Sequence, residues 1–202
     1  MLKDIKAVKA IDKDTKNAVK DDNFLSLQAV THYCCERGTL TDRAIHTIFN
    51  RYVSRTRVPV NGCTDDASVV GMSKLDFVRM FLALVGSATD KGLKYWFSVL
   101  DQDGDGWVGV ADVAYFYAER KSESEKKNGI LLTDVRSLWV RLCAMTGVSP
   151  KGRGISFRSM KELGKADREF VACALLIRRA DDGNLTNVAA TMEVQDKAGK
   201  AP

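Results

Sequence analysis

The twelve residues Asp101-Gln102-Asp103-Gly104-Asp105-Gly106-Trp107-Val108-Gly109-Val110-Ala111-Asp112 decide how the rest of the chain is read. Three aspartates stand at alternate positions, Gly106 occupies the sixth, and a fourth aspartate closes the run at the twelfth. A hard cation gathers about six to eight oxygen ligands at short range. Carboxylates at alternate positions converge on one point only if the backbone then turns sharply, and glycine, with no Cβ, permits that turn. In this register Asp101, Asp103, Asp105 and Asp112 offer carboxylates and Trp107 offers its backbone carbonyl. Val108 falls in a short strand that pairs with a second loop.

The flanks agree with a helix–loop–helix EF-hand. Leu93, Trp96, Phe97 and Leu100 recur at i, i+3, i+4 and i+7, one face of an entering helix, and Val113, Phe116 and Tyr117 begin an exiting one. Two positions depart from the strongest form of the loop. Asp112 is one methylene shorter than the usual closing glutamate, which makes bidentate capture of Ca²⁺ harder. Gly109 at position nine leaves that coordination site to water. The expectation is a weakened Ca²⁺ site, or one more tolerant of Mg²⁺.

With 202 residues the chain suffices for one domain or two small ones with a proper core. No apolar run reaches the length of a membrane span, and the N-terminus carries no signal-peptide pattern, so a chain starting at Met1 is expected inside the cell. Cys34, Cys35, Cys63, Cys143 and Cys173 are an odd set without paired spacing, read as reduced thiols. The net charge of +5 is spread thinly, with 15 Lys/Arg against 11 Asp/Glu in residues 1–100 and 16 against 15 in 101–202. Nucleic acid would call for a basic stripe with interleaved aromatics, and there is none. Catalysis finds no constellation either. His32 and Cys35 could touch as a Cys–His pair, but a structural thiol beside a surface imidazole is the commoner arrangement. Lys151-Gly152-Arg153-Gly154 lacks the Gly-Lys-Ser/Thr ending of a phosphate loop.

Outward from the loop, the chain reads as an all-α protein of tandem EF-hand-like units with short paired loop strands, one of them metal-competent. Residues 1–22 form a basic helix or linker, either amphipathic toward a membrane or partner or a solvated continuation of an upstream domain. Residues 23–90 form a degenerate EF-hand-like unit. In it Asp22 caps a helix to about Glu36, with Phe24, Leu27, Thr31 and Cys34 on one face. After Gly38-Thr39-Leu40, Thr41 caps a helix bearing Ile45, Ile48, Phe49, Tyr52 and Val53, so that the two helices make a hand-like pair with no ligands. A loop from Thr56 to Gly71 follows, with a turn at Asn61-Gly62. Ser73 then caps a helix apolar on most sides, placed in the central core, with Met72 and Asp76 at loop positions eight and twelve of a hand without ligands. Residues 91–192 form an EF-hand pair, with the competent loop at 101–112 and a degenerate partner near 148–159. Its first exiting helix has a solvated end over Arg120–Lys127. Thr133 caps the next helix, Gly147 ends it, and Ile155 is expected to pair with Val108. Phe170, Cys173 and Ile177 define a last helix. Asp181-Asp182-Gly183-Asn184 reads as a turn, and residues 193–202 as a disordered tail.

Several of these stretches resemble the B-double-prime regulatory subunits of protein phosphatase 2A. They are Asp76-Phe77-Val78, Tyr95-Trp96-Phe97, the loop itself, and Tyr115-Phe116-Tyr117-Ala118-Glu119. Gly38-Thr39-Leu40-Thr41 and Gly154-Ile155-Ser156 are similar to the smaller, FASS/TONNEAU-like branch. The resemblance implies a non-catalytic, calcium-binding subunit of tandem EF-hands. Such a subunit docks on the scaffold and catalytic subunits of the phosphatase and steers its choice of phosphoprotein substrates. It works in the cytoplasm, at cytoskeletal or centrosomal structures, or in the nucleus. The competing expectation is a free-standing Ca²⁺ sensor that opens a groove for a target helix.

Overall fold

The computed structural model describes residues 2–14, 23–51, 53, 57–59, 68–128 and 133–177. Nine helices and six short strands follow one another in that part of the chain. They are α1 (Leu2–Asp14), β1 (Phe24–Leu25), α2 (Leu27–Glu36), α3 (Asp42–Arg51), β2 (Arg57–Pro59), β3 (Ser68–Val70), β4 (Met72–Ser73) and α4 (Lys74–Val85). After these come α5 (Asp90–Leu100), β5 (Trp107–Val108), α6 (Val110–Asn128), α7 (Val135–Thr146), β6 (Ile155–Ser156), α8 (Phe157–Lys161) and α9 (Lys165–Leu175). The all-α, tandem EF-hand reading holds: four helix–strand–helix units succeed one another, and their loop strands pair two by two. Phe24 faces Ser73 and Leu25 faces Met72 in the first pair, while Trp107 faces Ser156 and Val108 faces Ile155 in the second, as the apolar loop residues require.

The first hand differs from its expected form. Phe24 does not begin a helix; it lies in β1, and Ser26 caps α2 by accepting from the Ala29 amide at 3.1 Å. The spacing Phe24, Leu27, Thr31, Cys34 mimics a helical stripe, but pairing with β4 wins at its first member. Consequently the helices on either side of Gly38-Thr39-Leu40 do not form one hand. That stretch links two hands, and α1 supplies the entering helix of the first. Val8 of α1 is fully buried, with Ile5 and Ile11 packed on the same core, so α1 is not merely solvated. The expected cap at Asp22 and the Asn61-Gly62 turn lie outside the described residues, as do the Asp181–Asn184 turn and the tail from Glu193. So do the side chains of Glu123–Lys127; at the start of the helix end expected to be solvated, Arg120 is instead buried, 4% exposed.

Two further corrections concern the second hand. The stretch expected as a loop contains an antiparallel ribbon, with Arg57, Val58 and Pro59 facing Val70, Val69 and Ser68. And α4 is not apolar core on most sides. Ser73 caps it as expected, and Phe77, Met80 and Ala83 are buried, but Leu75, Leu82 and Val85 stand 57%, 57% and 74% exposed along one stripe.

In the second pair the agreement is closer. Leu93, Trp96, Phe97 and Leu100 are all buried, as are Val113, Phe116 and Tyr117. Gly147 ends α7 with φ 66°, the left-handed conformation that favours glycine. Asp134, one residue after the expected Thr133, is the true cap of α7, bonding the amides of Arg136 and Ser137. Thr133 instead offers its carbonyl to the Tyr117 hydroxyl at 2.8 Å. The last helix ends at Leu175, and Ile177 bridges back to Leu40 while the Leu176 carbonyl accepts the Thr41 amide. The chain thus returns, at Leu176 and Ile177, to the linker between the first two hands.

Candidate metal centre

Asp101 ends α5, and its carboxylate organises the loop. Its Oδ1 accepts from the amides of Gly104 (2.8 Å) and Asp105 (3.1 Å), and its Oδ2 accepts from Gly106 (3.0 Å). Those bonds fold the chain back on itself, which Gly104 and Gly106 allow by taking φ of 74° and 84°. Asp103 accepts from the Asp105 amide (3.2 Å) and Asp105 from the Trp107 amide (2.8 Å), each an aspartate turn within the loop. Carboxylate oxygens of Asp101, Asp103 and Asp105 come within 4.8 Å of one another. Three anionic oxygen donors on one loop fit a hard divalent cation better than any softer metal.

Asp112 stands apart from this group. It lies in the first turn of α6, where its Oδ2 accepts from Gly109 (2.8 Å) and its Oδ1 from Gln102 (3.0 Å). Burial pushes its carboxyl above the ordinary aspartate range; the two amides pull the other way, and the charges of Asp103 and Asp101 add to the rise. Its side chain therefore stitches the two ends of the loop together. Trp107 sits in β5, half-buried, at the seventh position.

Neighbouring units frame the loop in ways that ligand spacing does not reveal. From the fourth hand, Arg153 stretches over the Trp107 ring (5.4 Å) and reaches Oδ2 of Asp105 at 3.3 Å. From α3, Thr47 takes a hydrogen bond from the Gln102 side chain at 2.9 Å, and Arg51 donates to the Asp101 carbonyl. Glu119 of α6 accepts from the amides of Asp42 and Arg43, both at 2.8 Å. The only sequence signal for Glu119 was its place in the Tyr-Phe-Tyr-Ala-Glu stretch. In the fourth hand, Gly154 lies against the ribbon: a Cβ there would sit 2.9 Å from the Val108 carbonyl. His32 meets Glu36 at 3.1 Å on an exposed helix face.

No protein-family model matches the chain. Over 135 residues, 67% of its length, it is 28% identical to the mouse B'' delta regulatory subunit of serine/threonine-protein phosphatase 2A. Over 100 residues, 48% of its length, it is 27% identical to the probable B''epsilon regulatory subunit of the same phosphatase in Arabidopsis thaliana. These matches span 26% and 17% of the two relatives, so the chain corresponds to a minor part of their length. In three dimensions it is similar to a solved PP2A PR70 holoenzyme structure labelled diCa, with a TM-score of 0.65 at 20% identity. That match covers 88% of this chain and 57% of the other.

Proposed function

Starting from the resemblance to the B'' regulatory subunits, which holds over two thirds of the chain, we propose that this protein is a non-catalytic, Ca²⁺-binding regulatory segment of protein phosphatase 2A. In this reading Asp101, Asp103 and Asp105 hold the cation with the Trp107 carbonyl, and Asp112 closes the set, with Mg²⁺ as the competing ion. The cation neutralises the carboxylates and stiffens the loop between α5 and α6. The hand pairs, divided near residue 90, present the surface that docks on the scaffold and catalytic subunits and directs the choice of phosphoprotein substrate in the cytoplasm. The observation that carries the reading is the convergence of three carboxylates in one loop of a chain related to B'' subunits. The exposed stripe Leu75, Leu82, Val85 on α4 supports docking, because contiguous apolar surface marks protein contacts.

The test is capture from cell extract with the tagged chain, in Ca²⁺ and in chelator. Phosphatase scaffold and catalytic subunits should be retained, and Leu82→Asp should reduce their recovery while leaving Ca²⁺ affinity unchanged. Recovery of neither subunit in either buffer would refute the docking reading.

A further inference from the structure

We infer that α3, a helix of the second hand, is a strut laid across the helices that flank the metal loop, and that Glu119 is the fastener at one of its ends. At its N-terminus the first free amides of α3 are all taken: Thr41 Oγ1 accepts from Ala44 at 3.3 Å, and the Glu119 carboxylate accepts from Asp42 and Arg43. A carboxylate on a helix N-terminus gains from the helix dipole as well as from the two hydrogen bonds. Arg43 adds a second tie to α6, donating to the Tyr115 carbonyl and lying 4.7 Å from the Tyr115 ring centre. At its C-terminal half the same helix meets the other side of the loop, through Thr47 to Gln102 and Arg51 to the Asp101 carbonyl. Between its two ends α3 buries Ile45, Ile48 and Phe49, so it is held by its core face as well.

One end of α3 is therefore fixed to the exiting helix and the other to the first two residues of the loop, where the entering helix ends. The angle between the two helices cannot change unless one set of ties breaks. A cation in the loop would then stiffen the hand without opening it, and Thr47, Arg51 and Glu119 act as positioning residues for the loop. The part of this inference that concerns the cation rests on the metal reading above; the strut itself does not.

The experiment compares the full chain with Glu119→Ala, Glu119→Gln and Gln102→Ala, using amide exchange by NMR and an apolar-surface dye, in chelator and in millimolar Ca²⁺, with calorimetry for binding. In chelator, Glu119→Ala should speed exchange at Asp42 and Arg43 and also at Gly104, Asp105 and Gly106, in the loop itself. A mere helix cap would leave the loop amides unchanged, and that outcome overturns the strut. With Ca²⁺, dye emission from the unsubstituted chain should stay flat while Glu119→Ala rises several-fold, with Gln102→Ala rising less and Glu119→Gln least. A rise in the unsubstituted chain equal to that of Glu119→Ala would overturn the inference, as would a flat response in Glu119→Ala with Ca²⁺ bound. Absence of calorimetric heat in every protein sinks the metal reading alone, and the chelator exchange then decides the strut.

Discussion

Asp101 serves the loop as a backbone acceptor and the proposed centre as a ligand, and these two duties separate in mutants. Alanine at 101 removes three acceptor contacts from a buried, charged group, each bond to such a group being worth about 1.5 kcal/mol or more. Asp101→Ala is expected to abolish Ca²⁺ heat in calorimetry and to lower the melting temperature in chelator as well. Asp103→Ala, at an exposed position, should weaken Ca²⁺ binding while leaving the chelator melting temperature nearly unchanged. Equal melting shifts would remove the backbone role of Asp101. Arg153 places a tethered cation beside Asp105, so Arg153→Ala should raise Ca²⁺ affinity by about two- to five-fold, and less in high salt, as befits an exposed pair. The aspartates were legible in the sequence because ligand spacing is a local property. Glu119, Arg153 and Arg51 were not, since their partners lie 76, 48 and 50 residues away along the chain.

Helices are legible in the sequence where a cap or a stop residue agrees with an apolar stripe, as with Ser73 before α4 and Gly147 after α7. They are not legible where two periodicities overlap. Phe24 satisfied a helical spacing with Leu27, Thr31 and Cys34, and only its pairing with Ser73, far along the chain, assigns it to β1. The α4 stripe failed for a different reason: hydrophobicity on most sides signals core only if something covers every side. At the ribbon, Gly154→Ala should push β6 from β5, because the new Cβ would meet the Val108 carbonyl at 2.9 Å and Trp107 Cβ at 3.2 Å. The expected cost is about 2 kcal/mol in denaturant unfolding, the usual size for strain at a restricted backbone position. A second element-scale effect follows pH. Hydrogen bonds from Lys161 and then Arg168 hold the Asp90 carboxyl below the usual range, and they join the start of α5 to α8 and α9. The folded pKa is depressed, so this contribution is present above the unfolded value near 3.9 and is lost as pH falls through the folded one. Asp90→Asn should therefore flatten the stability profile below about pH 4.

At the scale of the whole molecule the two hand pairs are joined by α3, by Leu176 and Ile177, and by the packing of α4 on α5, where the Trp96 indole donates to the Ala83 carbonyl at 2.8 Å. Leu176 is fully buried and its carbonyl accepts the Thr41 amide, at the N-terminus of α3. A single unfolding transition is expected, with helix circular dichroism and tryptophan fluorescence coinciding. Leu176→Ala should cost about 2–5 kcal/mol, the range for a buried leucine, and separate the two traces. Coincident traces in the variant would show that α3 and the α4–α5 contact suffice to couple the pairs. The family resemblance was legible from the aromatic residues bracketing the loop. How the units associate was not, because no single stretch encodes the joint between α3 and the loop.

The second and fourth hands, neither of which has a full ligand set, differ from the metal loop in different ways. In the fourth, eight residues (147–154) separate α7 from β6, close to the six (101–106) between α5 and β5, so its loop differs mainly in side chains. Carboxylates in place of those side chains would give it the donors it lacks. The second hand has twenty residues (52–71) between α3 and β4, with the β2–β3 ribbon built into them. That connection is more than three times as long as the six residues between α5 and β5. Carboxylates alone would therefore not turn the second hand into a loop of the 101–112 kind, because the ribbon would still hold its two ends apart in sequence.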